Sequence, residues 1–424
     1  MTWPTPMIGD VCLPTLQGDP ARTKRISFRY VDIAGIDRDS KSILCADEVQ
    51  SSDAPSRARK MIETSDVLVS TVRPSLNAIA LVPESLNGEI ASTGFAVLRA
   101  NRAVLDPKYL FYWAQSKQFV DFLVANATGA SYPAVTDGIV KRAPIPLASP
   151  REQSRIVELL DEADRLRRLR RDADAKAARI LPALFLKMFG DPAKNPKGWP
   201  VVPLSDFANS VSRRNPSTSP DEPFQYIDIA GVDGELGLIT MAKRMVGRDA
   251  PSRARQVVRW RDTVVSTVRP YLRATALVPK ELDNEIASTG FCVLRPREPN
   301  GYAWLFQLTR LQWFTEQLNV RARGASYPAV TDADIFQLPI PLPCDSKLFD
   351  QFDDQFESVT RVLLTAGAAS EKVDAAFNLM LQRAFSGELT AKWREGHIQE
   401  LLAEMAQQAR ALNLPMPKEL EALS

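Results

Sequence analysis

The sequence contains the same block twice, and this internal repeat limits the architectures that the chain can adopt. The segment YVDIAGID at residues 30–37 recurs as YIDIAGVD at residues 226–233, which is 196 positions later. Further segments recur at the same offset, or at 195 after a one-residue deletion. They are DAPSRAR from Asp53 and Asp249, STVRP from Ser70 and Ser266, ALVP from Ala80 and Ala276, EIASTGF from Glu89 and Glu285, and GASYPAVTD from Gly129 and Gly324. Two homologous domains of about 150 residues each are therefore expected.

A helical pattern follows each domain. In residues 151–186, and again in residues 349–380, apolar side chains recur at three- and four-residue spacing. Each run ends at a Phe with a glycine close by, at Phe189 and at Phe385, where a helix C-cap is expected. Either apolar stripe alone would be exposed to water, so we expect the two helices to pair as an antiparallel coiled coil. The alternatives are two unrelated core helices, one in each domain, or helices exchanged between two chains of a dimer.

Within the domains the pattern is mixed. The β-branched residues 66–72, their copy at 262–268, and residues 94–98 predict strands, whereas the aromatic-rich segment after Asp106 and its copy at 302–318 predict helices. The predicted fold class is α+β, with two homologous globular domains separated by two long helices and related by a pseudo-two-fold axis. The predicted boundaries are 1–149 for the first domain, 150–192 for the first helix, 193–343 for the second domain, 344–390 for the second helix and 391–424 for a C-terminal helical tail.

Composition excludes several classes of protein. Apolar residues make up 45% of the chain and charged residues 25%, with a net charge of +2, which is ordinary for a folded globular protein. No apolar run reaches the roughly 18 residues of a membrane span and no secretory signal is visible, so a cytoplasmic protein without membrane contact is expected. The four cysteines are far apart, and the single histidine is His397 in the polar tail. Structural zinc and histidine-based catalysis are therefore not expected.

The motifs of several enzyme classes are missing from the sequence. It has no GxxxxGK[ST] loop for ATP and no GxGxxG loop for a dinucleotide. It also lacks the Asn/Asp-Pro-Pro-aromatic motif expected of an amino-methyltransferase acting on nucleic acid. The acidic pair Asp172 and Asp174 beside Lys176 could be read as a nuclease-like cluster, but it lies in a charge-rich helix and is interpreted as a solvated face. The chain is therefore expected to be non-catalytic.

The junction after the first domain carries a family resemblance. It reads PIPLASPREQSRI at residues 144–156 and, together with the two domain-plus-helix copies, resembles a specificity subunit of a Type I restriction-modification system. In that family PIPL closes a target recognition domain, and a Glu-Gln-x-x-Ile element, here Glu152, Gln153 and Ile156, opens the conserved helix. The second copy keeps PIPL at residues 339–342 but continues without the Glu-Gln pair.

The resemblance implies a function and a set of partners. The chain would bind double-stranded DNA, each domain would read one half of a bipartite site, and the helices would set the spacer between the halves. It would recruit two methyltransferase subunits that use S-adenosylmethionine, and motor-nuclease subunits that use ATP and Mg²⁺, while binding no cofactor itself. Two alternatives remain open: a DNA-recognition subunit of a related non-restricting complex, and a protein-binding coiled-coil scaffold. The scaffold would show no salt-sensitive binding to DNA.

Candidate DNA contacts follow from the repeat. Arginines that occur at matching positions in both domains could reach phosphate or guanine, although each could instead form an intradomain salt bridge. They are Arg57, Arg59 and Arg73 in the first domain and Arg253, Arg255 and Arg269 in the second. Tyr132 and Tyr327 precede proline in a Gly-Ala-Ser loop, where the rings could stack or wedge against DNA, or simply pack.

Specificity is expected where the copies differ, because phosphate contacts position a protein and base contacts specify the sequence. Ser75 and Asn77 are replaced by Tyr271 and Arg273 in the second copy. Residues 38–52 are replaced by a different and more basic stretch, which contributes Lys243, Arg244 and Arg248. We therefore predict a two-part DNA target with non-identical halves.

Overall fold

The computed structural model describes residues 3–23 and 25–414, and the chain divides into two compact units. Unit 1 consists of Met1–Asp172 and Ala369–Ser424, and unit 2 is the continuous segment Ala173–Ala368. Each unit contains one copy of the repeated domain together with parts of both long helices. Within the described ranges, no helix is both long enough and apolar enough to cross a membrane.

The described part of the first domain, residues 3–23 and 25–149, contains ten strands. They are β1 Cys12–Leu13, β2 Ser27–Val31, β3 Ile36–Asp37, β4 Ser42–Ile43, β5 Asp47–Gln50, β6 Ala58–Met61, β7 Val67–Ser70, β8 Ile79–Leu81, β9 Ile90–Ser92 and β10 Phe95–Ala100. One sheet has the order β1-β10-β7-β8, a second has the order β5-β2-β9-β6, and β3 pairs with β4. Only β2 and β9 run parallel among these pairs. The strands predicted from β-branched residues are confirmed as β7 and β10.

Three helices complete this domain: α1 Pro107–Gln115, α2 Lys117–Ala125 and α3 Asp137–Arg142. Helix α1 begins after Asp106, whose side chain accepts hydrogen bonds from two backbone amides of the first turn. The aromatic residues of α1 are buried in the main core of unit 1, as expected for the apolar segment after Asp106. A pair of short helices thus replaces the single helical run that the pattern suggested, with Ser116 as the break.

The sequence predicted one continuous first long helix. The structure has two helices there, α4 Pro150–Ala177 and α5 Ile180–Phe189. Its interruption precedes Pro182, which has no amide hydrogen and whose ring would collide with the carbonyl oxygen four residues earlier, that of Ala178. The predicted end is confirmed, since Gly190 follows α5 with a φ of 88°. A positive φ of this kind is where glycine is favoured at a helix C-terminus.

The second domain repeats the topology of the first. Its strands are β11 Val201–Pro203, β12 Ala208–Asn209, β13 Pro223–Ile227, β14 Val232–Asp233, β15 Leu238–Ile239, β16 Lys243–Val246, β17 Ala254–Val257, β18 Thr263–Ser266, β19 Thr275–Leu277, β20 Ile286–Ser288, β21 Phe291–Pro296 and β22 Pro339–Pro341. Its helices are α6 Tyr302–Arg310, α7 Gln312–Arg321 and α8 Asp332–Phe336. The sheets have the orders β12-β21-β18-β19 and β16-β13-β20-β17, with β13 parallel to β20. The duplicated sequence therefore produces duplicated strand pairing, including its one parallel pair.

The chain continues with α9 Ser346–Phe385, α10 Ala391–Glu395 and α11 Ile398–Leu412. In the segment 391–424, predicted as a helical tail, the structure forms α10 and α11, and Leu401, Leu402 and Met405 of α11 are buried. The rest of that prediction, from residue 415 onward, lies outside the described residues.

Within each unit the long helices pair in opposite directions. In unit 1, Glu152 of α4 contacts Thr390, and fifteen residues further along α4, Arg167 forms an ion pair with Asp374 of α9 at 2.8 Å. In unit 2, the ring centroids of Phe185 and Phe352 are 5.9 Å apart and those of Phe189 and Phe349 are 6.2 Å apart. Residue numbers rise along one helix as they fall along the other, which confirms the predicted antiparallel pairing.

Candidate nucleic-acid interface

Each domain presents an arginine stacked on an exposed tyrosine, and this arginine is exposed in the first domain and half-buried in the second. In the first domain the guanidinium of Arg73 lies 4.7 Å from the ring centroid of Tyr132, and in the second that of Arg269 lies 4.4 Å from the ring of Tyr327. The two tyrosines are 69% and 68% exposed. We call these the Arg–Tyr pairs. An aromatic ring beneath a guanidinium holds the cation in place while its hydrogen-bond donors remain available at the edge.

The pairs form because two loops cross. The loop of residues 128–134 closes on itself through the bridge Thr128↔Ala134, and Ala134 also bridges Val72. The backbone amide of Arg73 donates to the carbonyl of Pro133 at 2.7 Å, directly beside Tyr132. In the second domain, Arg269 donates to Pro328 at the same distance. The contact between the two loops could not be predicted from the sequence, because they are about 60 residues apart.

The backbone of both arginines is left-handed. Arg73 has φ 49° and ψ 63°, and Arg269 has the same values. Residues other than glycine adopt this region at a cost of about 1 kcal/mol or more, so its occurrence twice indicates a conformation fixed by the surrounding bonds. The repeated STVRP motif therefore sets the direction of the arginine side chain as well as its charge.

Asn77 and Arg273, proposed from the sequence as base contacts, are bonded inward. The Asn77 amide donates to the carbonyl of Gln115 at 3.3 Å, and the Arg273 guanidinium donates to the carbonyl of Arg310. Both residues also have positive φ, of 45° and 54°. They hold the turn after the Arg–Tyr pair against the end of α1 or α6, and their role in contacting DNA stays a prediction.

Ser75 and Tyr271 have a different environment. Both side chains are exposed on the turns Pro74–Leu76 and Pro270–Leu272, and Tyr271 is 51% exposed. The leucines that follow them, Leu76 and Leu272, are exposed as well, by 38% and 58%. No sequence signal marks these leucines, because an apolar residue after a proline turn is as compatible with a core position as with an exposed one.

The repeated SRAR segment places its two arginines differently. Arg57 and Arg253 are exposed. Arg59 is half-buried and donates to the carbonyl of Ala58 at 2.7 Å, and Arg255 makes the corresponding bond to Ala254. The second arginine of each segment therefore braces its own turn, whereas the first is free to reach an external phosphate.

The basic stretch of the second domain lies on an edge strand. Lys243 and Arg244 are exposed on β16, and Arg248 follows that strand. Lys243 is 4.0 Å from Asp228, and Arg248 forms an exposed ion pair with Asp221. The equivalent edge strand β5 begins with Asp47 and Glu48. Because the two edges carry opposite charges, they cannot make the same phosphate contact in both domains.

The Glu-Gln pair at the start of α4 is completely buried. The Glu152 carboxylate accepts hydrogen bonds from Thr390 at 2.6 Å, from Arg394 at 2.7 Å and from Trp3 at 3.1 Å. The amide of Gln153 donates to the carbonyls of Val104 and Ala148, at 2.9 and 2.8 Å. These bonds join the first domain, α4 and the segment after α9 within unit 1.

Helix α11 reinforces the same junction. Its Gln408 donates to the carbonyls of Val104 and Ala148 at 2.9 and 3.1 Å, and Arg151 pairs with Glu400 and Glu404. Between residues 3 and 414, apart from the undescribed position 24, no three His, Cys, Asp or Glu side chains form a group able to hold a metal.

The chain was compared with known proteins. No family model matches it. It is 25% identical over 141 residues to the Type I restriction enzyme HindI specificity subunit of Haemophilus influenzae, covering 33% of this chain and 31% of that protein. It is 28% identical over 123 residues to the Type I restriction enzyme MjaIX specificity subunit of Methanocaldococcus jannaschii, covering 26% and 28%. The alignments thus span less than a third of these curated relatives.

A solved structure from work on complex assembly and conformational transition of the type I R-M system extends the likeness. It is 29% identical, has a TM-score of 0.58, and is matched over 92% of this chain and 98% of the solved chain. The predicted resemblance to Type I specificity subunits is confirmed. The match over nearly the whole length also confirms the α+β fold with long helices.

Proposed function

We propose that the chain is the DNA-specificity subunit of a Type I restriction-modification complex, with each domain binding one half of a bipartite duplex site. The observation that carries this proposal is the Arg–Tyr pair, which recurs in both domains with the same backbone geometry at the arginine and nearly the same exposure of the tyrosine. A feature kept in both copies suits the part of DNA that does not vary, the phosphate backbone. The relatives named as specificity subunits support this assignment.

We place the chemistry in partner subunits. Adenine methylation would belong to two methyltransferase subunits that bind S-adenosylmethionine, and cleavage to motor-nuclease subunits that use ATP and Mg²⁺. The chain itself would bind no cofactor and perform no catalysis. The likeness to a chain from a type I R-M assembly supports the partnership, since that work concerns complex formation.

The test uses the full chain co-expressed with a methyltransferase encoded beside its gene. DNA treated with the complex is sequenced for methylated adenine, and we expect a bipartite motif with a fixed gap. The double variant Arg73→Ala with Arg269→Ala should weaken DNA binding at every sequence and lower the slope of log affinity against log salt by about two, one for each lost phosphate contact. The matched control is Arg22→Ala, whose side chain is 87% exposed and pairs with Asp19. Absence of methylation together with salt-insensitive binding would contradict the proposal.

We also propose that α4 and α9 set the gap between the half-sites. One heptad inserted after Arg170, matched by one inserted beside Asp374 on α9, adds about 10 Å of helix at 1.5 Å per residue. At 3.4 Å per base pair the gap should lengthen by about three base pairs. The same heptad in α4 alone should separate Arg167 from Arg171, so that both can no longer pair with Asp374, and should abolish methylation. A gap that does not change after the matched insertion would refute this role of the helices.

A further inference from the structure

The turn after each Arg–Tyr pair is a rigid frame with two exposed residues at its tip. In the second domain the amide of Leu272 donates to the carbonyl of Arg269 at 2.9 Å, and the amide of Arg273 to that of Pro270 at 2.9 Å. Arg269 and Arg273 bracket the turn in left-handed conformations. The first domain has the same bonds and the same left-handed positions. A frame this constrained holds residues 75–76 and 271–272 in the same place in both domains.

The tip of the second domain is apolar and larger. Tyr271 and Leu272 are 51% and 58% exposed, and Leu236 on the neighbouring β14–β15 loop is 65% exposed. This loop lies against the turn, because a Cβ added to Gly234 would be 2.5 Å from the carbonyl oxygen of Arg273 and 3.3 Å from that of Leu272. We call these three side chains the apolar tip.

The first domain has a polar group where the second has the apolar tip. Its turn carries Ser75 and Leu76, and its β3–β4 loop contributes Lys41, which donates to the carbonyl of Asn77 at 2.6 Å. Burial lowers the pKa of Lys41 to about 8. The frame is therefore shared, and the chemistry that it presents differs between the domains.

Two arginines, Arg269 and Arg273, flank the turn of the apolar tip. In the neighbouring loop, the half-buried Arg310 donates to the backbone carbonyl of Glu235, whose own side chain is exposed. Such a surface is complementary to a polyanion that carries methyl groups. The guanidinium groups would face its negative charges, and the apolar side chains would contact its methyl groups. In the major groove of DNA, the 5-methyl group of thymine is the apolar group on the base edges, and apolar side chains contact it.

We propose that the apolar tip reads thymine methyl groups in the half-site bound by the second domain, and that the first domain makes no equivalent contact through its turn. This inference rests on the proposed function, in which each domain binds half of a duplex. It assigns the discrimination to Tyr271 and Leu272 at the tip, with Asn77 and Arg273 as positioning residues that hold the frame.

The experiment uses the full chain with its co-expressed methyltransferase and duplexes selected from a random pool. The half-site whose consensus changes in the double variant Tyr271→Ser with Leu272→Ala is the one read by the second domain. Replacing dT by dU in that half-site removes only the methyl group. Affinity should fall about fourfold for each methyl contact, the ratio expected for burial of one methylene-sized group.

Two variants make the result specific. Leu272→Ala should abolish the difference between dT and dU, whereas the matched change Leu76→Ala in the first domain should leave it intact. Both leucines are exposed, so thermal unfolding should remain that of the unmodified chain. Equal affinity for dT and dU duplexes, or a half-site without thymine, overturns this inference and leaves DNA binding in place. Failure to select any duplex overturns the proposed function as well.

Discussion

The two domains hold the N-terminus of the same helix in different ways. In the first domain, Asp106 at the start of α1 accepts hydrogen bonds from the amides of Lys108 and Tyr109 at 2.7 and 3.1 Å. In the second, glycine occupies the start of α6, and the amides of Gly301 and Ala303 donate instead to Asp353 on α9, at 2.8 and 3.1 Å. A duplicated helix can therefore exchange a local cap for one supplied about 50 residues away. The fold requires that the free backbone amides at the start of the helix have hydrogen-bond acceptors, whichever residue supplies them.

An ion pair formed by a buried lysine is also exchanged between the domains. In the first domain Lys60, which is 5% exposed, contacts Asp137. The second domain has Gln256 at the equivalent place, and its amide donates to the carbonyls of Ser288 and Phe291 at 2.8 and 2.7 Å. A neutral amide bonded to backbone thus replaces a charge, which avoids the desolvation of a buried ammonium. The two copies of the repeat therefore share their strand pairing but differ in their buried polar groups.

The largest expected effect concerns Glu152, the buried carboxylate at the start of α4. Glu152→Ala leaves Arg394 without its carboxylate, so the free energy of unfolding should fall by about 3 kcal/mol or more. Leu348 takes the place of Glu152 at the start of α9 and is half-buried, so Leu348→Ala should cost less. Urea denaturation followed by tryptophan fluorescence measures both. Equal losses in the two variants would show that the polar junction adds nothing to unit 1.

The buried ion pair gives the next largest effect. Lys60→Met leaves Asp137 without its cation and should lower the free energy of unfolding by about 2 kcal/mol. Lys60→Gln also removes the cation but should cost less than Lys60→Met, because the new amide can reach the carbonyls of Ser92 and Phe95 as Gln256 reaches their counterparts. Thermal unfolding of the two variants makes the comparison. If Lys60→Gln is as harmful as Lys60→Met, the two domains are not interchangeable at this position.

The Arg–Tyr pairs allow the contributions of the domains to DNA binding to be separated. Arg73→Ala and Arg269→Ala should each weaken binding about tenfold and each lower the salt slope by about one, as for the loss of a single phosphate contact. Fluorescence anisotropy over a range of salt concentrations measures this. An effect confined to one of the two variants would mean that only one pair contacts the backbone.

The smallest effect is expected at the exchanged caps. Asp106→Ala and Asp353→Ala should each lower the free energy of unfolding by about 1 kcal/mol. Burial raises the pKa of Asp353 to about 6 from its usual value near 4, so folding favours the protonated form. The stability that this group contributes is complete below about pH 4 and is lost as the pH rises through 6. Unit 2 should therefore lose this contribution between pH 4 and 6, and Asp353→Asn should remove that part of the pH dependence, as measured by denaturation at each pH.

Much of the fold could be predicted because its signals are local or repeated. The β-branched residues of β7, the apolar spacing of the long helices and the glycine after Phe189 each act within a few residues. Because the sequence is repeated, each element predicted in the first domain could also be predicted in the second. The interruption before Pro182 could also have been found, since proline excludes the preceding helical bond whatever its surroundings.

The remaining features depend on residues that are distant in sequence. The parallel pairing of β2 with β9, the cap that Asp353 provides for α6, and the contact of Tyr132 with Arg73 have no local pattern. The repeated arginines and tyrosines could be singled out from the sequence, and the structure brings two of each together as the Arg–Tyr pairs; their contact with DNA stays a prediction. The directions in which the candidate side chains point could not be predicted. Asn77 and Arg59, for example, donate hydrogen bonds to backbone carbonyls of their own domain, and no sequence spacing identifies these partners.

The division into units determines the order in which the protein can fold during synthesis. Unit 2 is a continuous segment, Ala173–Ala368, and is complete when its last residue leaves the ribosome. Unit 1 is made first but needs residues from Ala369 onward, which supply Phe377 and Phe385 for its core and Arg394 for Glu152. The domain that is synthesised first therefore completes its folding last. Until the residues from Ala369 onward are made, the part of its core that packs against them stays exposed, and a chaperone could bind this apolar surface on the growing chain.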